Sequence, residues 1–93
     1  MKSETTTVKN PAGLHARSAA TIVKLATGFR CNITFENAQK TASAGNIMAL
    51  LMLEATEGSQ LRVSAEGPDE VEALTAMINL ISVNFGESGE FRE

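Results

Sequence analysis

The stretch Leu61-Arg62-Val63-Ser64-Ala65-Glu66-Gly67-Pro68-Asp69-Glu70-Val71-Glu72 changes its hydrophobic period partway along. Leu61, Val63 and Ala65 alternate with Arg62, Ser64 and Glu66, the pattern of a strand with one buried and one wet face. Gly67 and Pro68 end it, since proline cannot donate to a ladder. Asp69 with Glu72 three positions on has the form of a capping box. Val71, Leu74, Ile78 and Ile81 continue at helical spacing, which predicts a helix from Glu70 to about Val83. A strand patterned on one face only needs helices to cover that face. The segment therefore points to an open-faced α/β (α+β) sandwich.

Working outward, the same two periods recur. Cys31, Ile33 and Phe35 alternate with Asn32, Thr34 and Glu36, a second half-buried strand in which Cys31 reads as core. Asn37 and Ala38 suit a turn, after which Gln39 to Ser43 returns antiparallel. Asn46 is placed to cap a short helix, Ile47 to Leu53, which is apolar nearly all round, with Gly58 closing the loop after it. Towards the N-terminus, Thr5 to Val8 is β-prone and stops at Asn10 and Pro11. Ala19, Ile22, Val23 and Ala26 mark a helix from Ala16 to Thr27, with Gly28 where a C′ residue belongs. The expected order is βαββαβα: a four-stranded antiparallel sheet with three helices on one face. Several small-domain families share such an order, including ferredoxin-like ones, so fold alone names no function.

Ninety-three residues suffice for one core and not for two. A single domain over residues 1–86 is expected, with residues 87–93 as a frayed tail. Hydrophobic residues make up 43% and charged residues 20%, which is globular usage and not the signature of disorder. The longest apolar run, Ile47 to Leu53, is far short of the roughly 18 residues of a bilayer span, so direct membrane insertion is not expected. The N-terminus lacks the apolar stretch of a secretory signal, and Cys31 has no second cysteine to pair with, which suits a reducing cytoplasm. The net charge of −3 argues against nucleic acid, yet it is unevenly spread. Residues 1–53 carry +4 and residues 54–93 carry −7, so the first half can offer a mildly basic face to an acidic partner or a phosphate.

The chemistry gathers at His15, at a loop-to-helix junction. An imidazole can present an unprotonated ring nitrogen near neutral pH. The first turn of a helix has backbone N–H groups without intrahelical partners and the positive end of the dipole, which suit a phosphoryl dianion. Arg17 adds a fixed charge and a guanidinium fork. Together these can accept and hold a phosphoryl group; the plainer reading of the same residues is a loop histidine beside a surface arginine. Metal binding is disfavoured, because there is no second histidine and no ligand-spaced cluster. No cofactor is called for.

Asn10, Pro11, Ala12, Gly13, Leu14, His15, Ala16, Arg17, Ser18, Ala19 and Ala20 resemble the active-site signature of the histidine-containing phosphocarrier family, HPr. The similarity spans roughly residues 3 to 85, and Ala49 to Leu53 look closer to the nitrogen-related branch, NPr. The resemblance implies that His15 is phosphorylated on Nδ1 by enzyme I, itself charged from phosphoenolpyruvate, and passes the group to an EIIA-type protein of a phosphotransferase system, as in sugar transport. It also implies that Arg17 orients the phosphate, with Ala16 and Ser18 as further phosphate contacts.

Two positions depart from the family pattern. Ser18 stands where proline is usual; it returns a backbone donor and adds a hydroxyl, read either as an extra phosphate contact or as a helix start that tolerates serine. Asn46 stands where many sugar-type members have a serine that a kinase modifies; asparagine can cap but not be phosphorylated, so that input is expected to be absent.

A helix apolar on every side cannot bury all of itself in a small domain, so part of Ile47, Met48, Leu51 and Met52 is expected at the surface and Leu50 and Leu53 in the core. With Ala16 and Ala20, and with Lys24 and Arg17 at the rim, they would form a partner-binding patch around His15, and a monomer is expected. Three functions stay open: a relay phosphocarrier, an NPr-like regulatory module whose phosphorylation state sets its partner, and a binding domain unrelated to phosphate.

Overall fold

Residues 1–86 are described in the structure, a computed structural model. The chain runs β1 (Lys2–Thr7), α1 (Ala16–Ala26), β2 (Asn32–Asn37), β3 (Lys40–Ser43), α2 (Ile47–Leu51), β4 (Gln60–Glu66) and α3 (Glu70–Ser82), then a single tight turn at Asn84–Gly86. The four strands form one antiparallel sheet in the order β1-β4-β2-β3. This is the expected architecture. In the centre, Phe35 stands opposite Val63 and Ile33 opposite Ala65, so the apolar sides of β2 and β4 share one face. Those residues, with Leu61, are buried, while Arg62 and Glu66 on the other side of β4 are exposed. Ala19 and Ile22 of α1, Leu50 of α2, and Ala73, Met77 and Ile81 of α3 close over the apolar face. The predicted tail, 87–93, lies outside the described residues.

Several details differ from the sequence reading. The α3 stripe is centred on Ala73, Met77 and Ile81 and flanked by Leu74 and Ile78, leaving Val71 57% exposed. Asp69 makes no side-chain cap, because its carboxylate accepts the Arg30 N–H at 2.8 Å. Glu70 accepts the Gly67 N–H instead. The predicted capping box is thus replaced by a tie between the start of α3 and the α1–β2 loop. Gly67 lets these segments meet: at φ +146°, a Cβ there would lie 2.7 Å from the Arg30 carbonyl oxygen.

α1 ends without a left-handed glycine: its C-cap is Thr27, and Gly28 and Phe29 continue with bonds to Leu25 and Ala26, a tightened last turn. Cys31 precedes β2 and is half-buried at the edge of the core, so it does not belong to the core proper. Burial raises its thiol pKa, and the carboxylates of Asp69, Glu70 and Glu72 add to the shift. α2 stops at Leu51, two residues early, where Leu53 and Glu54 bond back to Leu50 and Leu51 and Glu54 turns the chain at φ +56°.

Candidate functional site

The loop from β1 to α1 delivers His15, and its shape follows from its residues. Asn10, Pro11, Ala12 and Gly13 form a β-turn closed by a 3.0 Å bond from the Gly13 N–H to the Asn10 carbonyl, matching the preference for Asn first, Pro second and Gly fourth. Asn10 is 3% exposed, and its side-chain amide donates to the Gly13 carbonyl at 2.8 Å. Gly13 has φ +68°, and a Cβ there would lie 2.5 Å from the Ala55 oxygen. Next along, the Leu14 N–H donates to that same oxygen at 2.8 Å. The loop is therefore pinned to the segment that follows α2, and Leu14 enters the core immediately before the histidine.

His15 is the N-cap of α1. Its Nδ1 accepts the Arg17 N–H at 3.3 Å, and the ring also accepts the Ser18 backbone N–H. Such bonds place the proton of a neutral ring on Nε2 and leave the Nδ1 lone pair on the side of the helix amides. The ring is half-exposed. No acidic residue lies in the first turn of α1, so no carboxylate there opposes an incoming anion. A nucleophilic nitrogen, two backbone donors and the positive end of a helix dipole thus meet at an accessible point, which is what accepting and releasing a phosphoryl group requires.

The other expected site residues fall into two groups. Ala16, Arg17, Ala20 and Lys24 are exposed on α1. On α2 and its C-cap, Met48 is 67%, Met52 68% and Ile47 39% exposed, with Leu51 half-buried and Leu50 and Leu53 in the core. α1 and α2 pack against each other. The α2 start is capped as anticipated: the Asn46 side chain accepts the Ala49 N–H at 3.1 Å. At its far end, Lys40 pairs with Glu54 and holds that carboxyl below the usual range, by hydrogen bond first and by charge second.

The Ser18 hydroxyl is placed differently from a phosphate contact. It is fully buried, and its hydroxyl donates to the His15 carbonyl at 2.9 Å and accepts the His15 N–H at 2.8 Å. Asn10, the first residue of the family signature, and Ala55, which no sequence pattern marks, also shape the site. Asn before Pro-x-Gly is a legible turn signal, whereas the approach of Ala55, some forty residues away in the chain, has no local signature. Among the described residues no group of three or more His, Cys, Asp or Glu is arranged to hold a metal ion, and no helix is long and apolar enough to cross a membrane.

Comparison with known proteins is consistent with this geometry. The family described as "PTS HPr component phosphorylation site" matches residues 2–82. The phosphocarrier protein NPr of Escherichia coli K12 is 40% identical over 85 residues, which cover 90% of this chain and 94% of that one. The phosphocarrier protein HPr of Cupriavidus necator is 38% identical over 87 residues, covering 94% and 98%. Among solved structures, HPr-C-His from Thermoanaerobacter tengcongensis superposes with a TM-score of 0.88 at 42% identity, covering 95% of this chain and 99% of that one. With an accessible histidine at the head of a helix on a matching fold, the chain belongs to the HPr family of phosphotransferase-system phosphocarriers.

Proposed function

We propose that this protein accepts a phosphoryl group on Nδ1 of His15 from enzyme I, charged from phosphoenolpyruvate, and passes it to an EIIA-type protein. The observation that carries the reading is the pair of backbone N–H groups, from Arg17 and Ser18, donated to the half-exposed His15 ring. In the acceptance step the Nδ1 lone pair forms the N–P bond while the donor's bond to phosphorus breaks and its electron pair leaves with the donor. Once Nδ1 is occupied, the amides that faced its lone pair are positioned to face phosphoryl oxygens, and Arg17 supplies charge at the same helix end. An open helix end leaves the group reachable by the next acceptor, which a carrier needs and a closed pocket would prevent. Met48, Met52, Ile47 and Leu51, with Ala16 and Ala20, serve as the surface on which both partners dock, and Lys24 rims it. Adaptable methionines suit one surface that must fit two partners. The protein acts as a monomer in the cytoplasm.

A second reading is compatible with the first: an NPr-type role, in which the phosphorylation state decides which protein is bound and sugar uptake is not served. The Asn46 cap, which has no hydroxyl to modify, and the 40% identity to an NPr favour it. Incubation with enzyme I and phosphoenolpyruvate tests the main proposal. An acid-labile adduct should form on the native chain and vanish in His15→Ala; labelling that persists in the variant would overturn the assignment. Capture of the acceptor by the phosphorylated chain separates transport from regulation.

A further inference from the structure

We infer that Ser18 is a positioning residue for His15, a deduction that rests on the phosphocarrier reading and extends it. Its hydroxyl has one proton and engages the His15 main chain in both directions, donating to the carbonyl at 2.9 Å and accepting the N–H at 2.8 Å. Both bonds fall on the one residue whose ring is the nucleophile. Ser18 is 0% exposed, and removing its hydroxyl costs the His15 N–H this acceptor, while the His15 carbonyl keeps the 2.8 Å bond from the Ala19 N–H. The same residue reaches the ring by a third route, since its backbone N–H donates to the His15 side chain. A proline at this position would have neither a hydroxyl nor an N–H. In this chain, therefore, the Ser18 hydroxyl holds the His15 backbone while the Ser18 N–H shares the ring with the Arg17 N–H.

The consequence is chemical as well as structural. Nδ1 is nucleophilic only while its lone pair is free of a proton, and the amides of Arg17 and Ser18 favour that tautomer only while the ring stays over them. Loosening the His15 backbone lets the ring swing and samples the tautomer with the proton on Nδ1. Ser18 thus acts on phosphoryl acceptance through the ring's orientation and proton position, with its hydroxyl turned away from the incoming group.

Nitrogen-15 NMR of the intact, unphosphorylated chain reads the ring directly and needs no phosphoryl donor. At a pH where the ring is neutral, the native chain should give the widely separated nitrogen shifts of a single Nε2–H tautomer. Ser18→Ala, which keeps the N–H and removes the hydroxyl, should draw the two shifts together and lower kcat for phosphoryl acceptance about three- to tenfold with KM little changed. Ser18→Thr restores a hydroxyl and should recover both readouts. Ser18→Cys keeps the volume with weaker bonds and should fall between; it serves if the alanine variant does not fold. Ring shifts unchanged in both the alanine and cysteine variants, or altered shifts with an unchanged kcat, would overturn the inference. A native chain that is never phosphorylated, while its ring still answers to Ser18→Ala, would instead sink the phosphocarrier reading.

Discussion

Gly13 is the residue on which the site depends for its shape. Its φ of +68° and the 2.5 Å approach of the Ala55 oxygen to a would-be Cβ leave no room for a side chain. Gly13→Ala should lose about 2 kcal/mol or more, since a left-handed alanine alone costs roughly 1–2 kcal/mol and the backbone of Ala55 must also move. Because Leu14 bonds to that same oxygen next to His15, phosphoryl acceptance should fall roughly ten- to a hundredfold. Urea denaturation and the rate of adduct formation check the two effects separately. That Gly13 occupies a turn was readable from Asn10-Pro11-Ala12-Gly13. That the turn leans on Ala55 was not, because a contact between distant segments leaves no mark on either one's local pattern.

At the scale of elements, the start of α3 shows where a local rule yields to a tertiary one. Asp69 and Glu72 spell a capping box, yet the Asp69 carboxylate goes to the Arg30 N–H and Glu70 takes the Gly67 N–H. Either choice satisfies an amide; the fold selects the one that also ties two loops together. The Gly67 hydrogen bond is the main influence holding Glu70 below the usual carboxylate range. The ionised form is therefore preferred in the native state. Its stabilisation is complete above the unfolded-state value of about 4.3 and is lost as pH falls through the lower native value. Native protein and Glu70→Gln should thus differ in urea midpoint at pH 6, with the gap closing as the pH is lowered below the ordinary carboxylate range. A gap that widened on acidification would reverse the sign assigned here. α2 gives the converse case, for its Asn46 cap and its exposed methionines were both legible, a helix apolar all round having more hydrophobic surface than a small domain can cover.

For the molecule as a whole, the described residues form one core, and Phe85 joins it from beyond α3. Phe85 is 1% exposed although it and Asn84 both hold positive φ, 58° and 59°, an unfavourable backbone offset by burying an aromatic ring in a turn that packs against α1 and α3. Phe85→Ala should lose about 3–5 kcal/mol by urea denaturation, a large share of the roughly 5–15 kcal/mol of a domain of this kind. Nothing in the sequence singled out Phe85, because a lone aromatic after a helix has no period to report its side. By itself the sequence determined the order of elements, the buried face of the two central strands and the histidine at a helix head, since each is encoded by spacing or turn chemistry within a few neighbouring residues. Only the tertiary structure decided that Ser18 is buried, that Ala55 braces the loop, and that Asp69 abandons its own helix for Arg30. Hydrogen-bonding side chains have several local options, and the choice among them is made by whatever the folded chain brings within reach.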